Sequence, residues 1–144
     1  MKKAYTLIEL ILVIALISIL SCILIPNTSI FQKFKEKQEI REFRKDILLT
    51  RNRAITSRSK HDIKLIFDDN KYVIKGDANS DTIKSKTFNY GLKLSKRTNL
   101  TSIMFNETGI PSKSGTIFLL DKKNKFYTIT IIPVTGKVEV KYEN

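Results

Sequence analysis

Tyr5-Thr6-Leu7-Ile8-Glu9-Leu10-Ile11-Leu12-Val13-Ile14-Ala15-Leu16-Ile17-Ser18-Ile19-Leu20-Ser21-Cys22-Ile23-Leu24-Ile25 is the stretch on which the fold turns, because only Thr6, Glu9, Ser18, Ser21 and Cys22 interrupt its apolar run. As a helix, about 21 residues rising ~1.5 Å each span roughly 31 Å, the thickness of a bilayer core. A secretory signal, a lipoprotein signal and a retained anchor compete for it. A secretory signal needs a shorter run and a small-x-small cleavage site, whereas this run continues to Ile25-Pro26. The lipoprotein reading uses Ile19-Leu20-Ser21-Cys22, but Leu20 fits poorly and apolar residues continue past Cys22. Glu9 discriminates among the three. A carboxylate inside an apolar helix costs about 2.5 to 3.5 kcal/mol on insertion scales, and neither signal has a use for it.

The residues before the run supply a partner. Cutting Met1-Lys2-Lys3-Ala4 away leaves a new ammonium on Tyr5, close to the depth of Glu9 in a neighbouring helix. Lys2-Lys3-Ala4-Tyr5-Thr6-Leu7-Ile8-Glu9-Leu10 resembles the type III signal of type IV prepilins and pseudopilins, with Ala4 where that family usually has Gly. The resemblance implies a prepilin peptidase that cuts between Ala4 and Tyr5 and methylates Tyr5, with Glu9 serving assembly. It also implies an inner-membrane assembly platform and other pilins or pseudopilins as partners. The expected place is the cytoplasmic membrane, crossed once with the leader inside and the C-terminal body outside, and afterwards a type IV pilus or type II secretion-like filament.

The expected domains are 1–4 as leader, 5–25 as transmembrane and polymerisation helix, 26–58 as amphipathic stem and 59–144 as antiparallel β body. Of 144 residues, about 120 remain outside the apolar segment, enough for one small domain. Cys22 is the single cysteine, so no intramolecular disulfide or cysteine-based zinc site is available. The formal charge of +12, from 26 Lys+Arg against 14 Asp+Glu, makes nucleic acid, teichoic acid and anionic lipid candidate partners. Richness in Ile, Lys and Asn, which AT-rich codons favour, weakens that inference.

Pro26 lacks an amide hydrogen and predicts a helix kink. Beyond it Ile30, Phe31, Phe34, Ile40, Phe43, Ile47, Leu48, Ala54 and Ile55 recur at threes and fours, predicting an amphipathic helix that ends near Ser57. Its plain reading is one face packed on a globular body; a coiled coil is disfavoured by the irregular repeat. The stretch 33–60 has ten basic and four acidic residues, read as a solvated face with intrahelical pairs such as Lys35 with Glu39.

After Ser59 the period changes from 3.6 to 2. Strand-like runs occur at Ile63–Phe67, Tyr72–Lys75, Thr82–Leu94, Leu100–Phe105, Thr116–Leu120, Phe126–Ile132 and Lys137–Tyr142, with turn signals at Asp68-Asp69-Asn70 and Asp121–Lys125. A long helix followed only by strands predicts an α+β fold, with the helix packed on an antiparallel β-sheet or sandwich. Leu49-Thr50-Arg51-Asn52-Arg53-Ala54-Ile55 resembles the Ala-Arg-x-x-Ala-Ile stem segment of the GspH/FimT group of minor pseudopilins. Phe105-Asn106-Glu107-Thr108-Gly109, Gly115-Thr116-Ile117 and Thr135-Gly136-Lys137-Val138 resemble that group's C-terminal pattern. The resemblance spans nearly the whole chain and implies a β-sandwich-like body and a low-copy subunit near a filament tip.

No catalytic set, cofactor motif or metal set is visible, so a non-enzymatic role without cofactor is expected. His61, the single histidine, reads as a surface residue, and Asp77-Ala78-Asn79-Ser80-Asp81 as a solvent-exposed turn, since Thr82 and Phe88 stand where a calcium loop needs Gly and Glu. Two functions follow: a structural subunit that initiates or caps a filament, or a minor pilin that binds DNA for uptake in natural transformation. For the second, Lys96 and Arg97, Lys122, Lys123 and Lys125, and Lys137 and Lys141 are the candidate contacts.

Overall fold

A computed structural model of the chain describes residues 6–24, 28–76 and 82–142. Two compact units divide it, Met1–Phe34 and Lys35–Asn144. In the first, α1 runs Leu7–Leu24. Its amide ladder starts on Thr6, whose carbonyl accepts from the amides of Glu9 and Leu10. Ser18 and Ser21 donate back to the carbonyls of Ile14 and Ile17, each at 2.8 Å, so neither hydroxyl is left without an acceptor. The large apolar residues from Leu7 to Leu20 are all exposed. Among the described residues no helix is long and apolar enough to cross a membrane: the 18 residues of α1 rise about 27 Å, against a hydrocarbon core of about 30 Å. The kink expected at Pro26 lies outside the described residues.

The second helix, α2, runs Thr28–Ser57. Arg58, at φ 48°, ends it, and the Ser59 amide closes back on the Ala54 carbonyl at 3.2 Å. The buried stripe passes through Glu36, Ile40, Phe43, Ile47, Thr50 and Ala54. At about 100° per residue Phe34, Phe31 and Ile30 lie about 160°, 140° and 120° away from Glu36 around the helix. They are accordingly exposed, although the sequence pattern grouped them with the buried residues.

Among the described residues eight strands follow: β1 His61–Ile66, β2 Lys71–Lys75, β3 Thr82–Thr87, β4 Lys93–Leu94, β5 Ser102–Phe105, β6 Gly115–Leu120, β7 Phe126–Ile131 and β8 Val138–Tyr142. They form two four-stranded sheets, β3-β2-β1-β5 and β4-β6-β7-β8, with every pairing antiparallel. The expected α+β architecture is therefore present, with two sheets around one core. Helix residues Phe43 and Ile47 share that core with Ile63 and Ile103 of sheet one and Ile117 and Ile129 of sheet two. Phe43, Tyr72 and Phe88 meet with ring centroids 4.6 to 5.4 Å apart.

The run Thr82–Leu94 is not one strand. Tyr90 at φ 48° and Gly91 at φ 94° turn the chain out of sheet one and into sheet two. Asn70, itself at φ 50° in the β1–β2 turn, fixes this crossing. Its side-chain amide donates to the carbonyls of Phe88 (3.0 Å) and Leu92 (2.7 Å), its side-chain oxygen accepts from the Leu94 amide (2.7 Å), and its carbonyl accepts from the Phe88 amide. Asn70→Ala removes three side-chain bonds, each worth about 1 kcal/mol net, and leaves partly buried backbone groups bare. Urea unfolding should show a loss of about 2 to 3 kcal/mol, and a change below about 0.5 kcal/mol would refute the pinning role.

Candidate assembly helix and basic surface

Glu9 stands in the first turn of α1, exposed among the apolar residues Ile8 and Leu10. A carboxylate there complements the positive end of the helix dipole. Ala4 and Tyr5, the expected processing residues, lie outside the described residues, as does the turn expected at 77–81.

Within the body, α2 is tied to sheet one by charge. Asp46, buried on the helix, accepts from the Tyr72 hydroxyl at 2.5 Å and from Lys84 Nζ at 2.7 and 2.9 Å. Glu42, one turn earlier, pairs with Lys84 and Lys86 of β3. These bonds, and Lys86 above all, hold the Glu42 carboxyl below its ordinary value. Burial works against the Lys84 charge, but Asp46 and Glu42 more than offset it and push that amine upward. Burial, and then the Asp46 bond, drives the Tyr72 phenol far above its ordinary range. Glu39 does not serve as a surface group: both its oxygens accept the Asn89 amide, at 3.0 and 3.2 Å, and burial raises its pKa. The sequence carries a signal for this, since positions 36, 39 and 46 fall in step with Ile40, Phe43 and Ile47, but acidic side chains there read as solvated. His61 also departs from expectation. It is buried, 7% exposed, with Nδ1 at 3.3 Å from the Ser59 carbonyl.

Three separate sequence motifs converge at Arg51. Its Nε donates to the Gly109 carbonyl at 3.0 Å, and a Cβ on Gly136 would lie 2.9 Å from that nitrogen and 3.1 Å from the same carbonyl. Gly109 and Gly136 both have positive φ, 75° and 61°; a Cβ on Gly136 would crowd the guanidinium, and one on Gly109 would lie 2.6 Å from Ile55 Cδ1. Asn106 closes the neighbouring turn by accepting from the amides of Thr108 and Ile110.

The candidate basic residues divide. In the turn between β6 and β7, Asp121 accepts the amides of Lys123 and Lys125, leaving Lys122 and Lys123 exposed. Arg97 lies over the rings of Phe118 (5.0 Å) and Phe126 (5.7 Å), with Lys96 exposed beside it. Lys125 lies 6.0 Å from the Tyr142 ring, and Lys141 pairs in register with Thr128. These six cations gather around the turn end of sheet two. Lys137 stands at the opposite end of β8, where its carbonyl accepts the Ile132 amide and its ammonium is taken up by Glu139 at 2.9 Å. Among the described residues no cluster of three or more His, Cys, Asp or Glu could hold a metal ion.

No family model matches the sequence. The chain is 28% identical over 141 residues to competence protein ComGD of Bacillus subtilis, covering 97% of this chain and 94% of that one. Its fold is similar to that of the type IV minor pilin FimU of Pseudomonas aeruginosa, with a TM-score of 0.63 at 14% identity over 78% of this chain and 95% of that one. The minor pseudopilin EpsH from the type 2 secretion system of Vibrio cholerae matches with a TM-score of 0.60 at 16% identity, over 74% and 96%. The chain has a pilin-like fold. The sequence similarity runs along nearly the whole chain, and the fold similarity along about three quarters of it.

The charge network of the body sets a pH dependence. Glu42 has a lowered folded pKa, so its contribution is present above its ordinary value of 4.5 and is lost as pH falls through the lower folded value. Glu42→Gln should therefore lose less stability than wild type between about pH 7 and about pH 3 in urea titrations. Equal losses in the two proteins would dissociate Glu42 from the acid response.

Proposed function

We propose that this protein is a structural subunit that initiates or caps a type IV pilus or type II secretion-like filament, without catalysing a reaction or binding a cofactor. The observation that carries this reading is α1, an apolar helix with all its described large side chains exposed and one carboxylate, Glu9, in the first turn. A prepilin peptidase cuts after Ala4 and methylates Tyr5. The chain waits in the cytoplasmic membrane with its body outside, and the assembly platform passes it into the filament. There Glu9 neutralises the new ammonium on a neighbouring subunit's Tyr5, which offsets the cost of an apolar carboxylate.

Intact mass of the protein from cells with an active prepilin peptidase should show loss of Met1–Ala4 and gain of one methyl. Retention of those four residues would overturn the processing step. Glu9→Gln should still be cleaved yet fall at least tenfold in the sheared filament fraction; undiminished incorporation would remove Glu9 from assembly.

A second reading, DNA contact during uptake in natural transformation, is favoured by the gathering of Lys96, Arg97, Lys122, Lys123, Lys125 and Lys141 around Phe118, Phe126 and Tyr142. Cations interleaved with aromatic rings suit phosphates and bases together. The name of the Bacillus relative, a competence protein, accords with it. Lys137 has no part in this set because Glu139 occupies it.

A further inference from the structure

A sheet edge is a row of unpaired backbone amides and carbonyls, and a folded chain ordinarily closes it. Sheet one closes both of its edges. Beside β5 the Met104 carbonyl accepts the Ser112 amide at 2.8 Å, the Asn106 amide donates to the Ile110 carbonyl at 3.0 Å, and Phe105 bridges to Pro111. On the β3 side the pairing with β2 shifts register between Ile74 and Lys75, and Lys84 and Lys86 turn inward to carboxylates of α2. Inward charges and irregular pairing both discourage a further strand. In sheet two, β4 is only two residues long. At the other edge β8 has five residues, no proline and no register shift, and it balances Lys141 with Glu139.

The pairing of β8 with β7 fixes which groups face outward. The Ile132 amide donates to the Lys137 carbonyl at 2.9 Å, and bonded pairs alternate along an antiparallel ladder. Lys137, Glu139 and Lys141 therefore turn their backbone groups to β7. The amides and carbonyls of Val138, Val140 and Tyr142 point off the sheet, and none of them bonds to a described residue. Side chains alternate as well. Val138 is in the core, whereas Val140 and Tyr142, on the same face, are 37% and 43% exposed. Glu139 and Lys141 occupy the opposite face.

We propose that β8 pairs antiparallel with β8 of a second copy of this chain, about a two-fold axis at Val140. In that register Val140 meets Val140, Val138 meets Tyr142 and Glu139 meets Lys141, the last two pairs each occurring twice by symmetry. The outward-facing residues exchange about six main-chain bonds, and the Glu139–Lys141 pairs fall at the non-bonded positions, where side chains approach most closely. Val140 and Tyr142 are covered by the same contact. Sliding the strands by two residues would oppose Glu139 with Glu139 or Lys141 with Lys141, so charge selects one register and a copy of the same strand. The formal charge of +12 opposes association at low salt, and screening over about 8 Å at physiological ionic strength relieves it. One strand pair buries less than about 1,200 Å², so the dimer is weak and reversible. Being two-fold, it closes on itself and cannot extend into a filament. It uses neither α1 nor Glu9, and it takes Lys141 out of the basic set at the turn end of sheet two.

The full chain carrying Cys22→Ser, in nonionic detergent at physiological salt, should show a monomer–dimer equilibrium in density-matched analytical ultracentrifugation. Glu139→Lys and Lys141→Glu should each weaken it about tenfold, and the two together should restore it to within about threefold, because opposite signs meet again. Val140→Pro removes an outward amide without touching the bonds to β7, and it should abolish the dimer while leaving the thermal melt in place. Oxidation should cross-link Val140→Cys to itself, but Glu139→Cys only when mixed with Lys141→Cys: opposed Cα atoms lie about 4.5 to 5.5 Å apart, and the self-pairs of 139 and of 141 lie beyond about 7 Å. Monomer at every concentration would overturn the pairing. So would a dimer indifferent to the charge reversals and to Val140→Pro, or self-cross-linking of Glu139→Cys or Lys141→Cys alone.

Discussion

A carboxylate that is almost out of water must be given partners, and the way Asp46 obtains them organises the body. Its side chain, 5% exposed, takes the Tyr72 hydroxyl from β2 and the Lys84 ammonium from β3. Both strands are thereby held at fixed positions along α2. Tyr72 in turn lies between Phe43 of the helix and Phe88 at the end of sheet one, so the polar bond and the aromatic packing depend on the same ring position. Removing Lys84 would leave the Asp46 carboxylate with almost no solvent to return to, whereas Lys84, 37% exposed and also paired with Glu42, would keep both water and a partner if Asp46 were removed. The helix is fastened to sheet one by specific polar geometry, and to sheet two by apolar packing through Ile117 and Ile129.

Much of this fold was legible where one periodicity governed a segment. The alternation of Ile117 and Leu119 with Thr116 and Phe118 in β6 appears directly as buried and half-buried positions. The apolar stripe of Ile40, Phe43, Ile47 and Ala54 also reads correctly, as does the α+β order. What escaped the sequence were features in which a residue's chemistry and its position disagree. Glu39 and Asp46 are charged but lie on the buried face, because Asn89, Tyr72 and Lys84 meet them there from more than 20 residues away in sequence. Local periodicity contains no record of such partners. Thr82–Leu94 reads as one strand because its apolar spacing continues through the change of sheet, and only Gly91 marks the break.

The candidate site was legible in type more than in place. Seven basic residues share a composition, but Lys137 and Lys141, two positions apart on the same strand face from Glu139, have opposite fates because Glu139 reaches only one of them in the structure. The motif residues Arg51, Gly109 and Gly136 were readable as a family pattern. Their physical reason is close packing of Arg51 against Gly136 and of Ile55 against Gly109, with the Arg51 Nε bonded to the Gly109 carbonyl.

The hydroxyls of Ser18 and Ser21 turn back onto their own helix, and this has a bearing on movement between surroundings. A polar group satisfied by its own backbone asks nothing of whatever lies outside, whether acyl chains or another protein surface. Transferring such a segment between two apolar surroundings breaks no side-chain hydrogen bond at either serine and makes none. The free-energy difference between the two settings then concentrates in the one described group that α1 cannot satisfy internally, the carboxylate near its start. In a helix built this way the two serines add nothing to the difference between two apolar surroundings, and the counter-charge that meets the carboxylate weighs most.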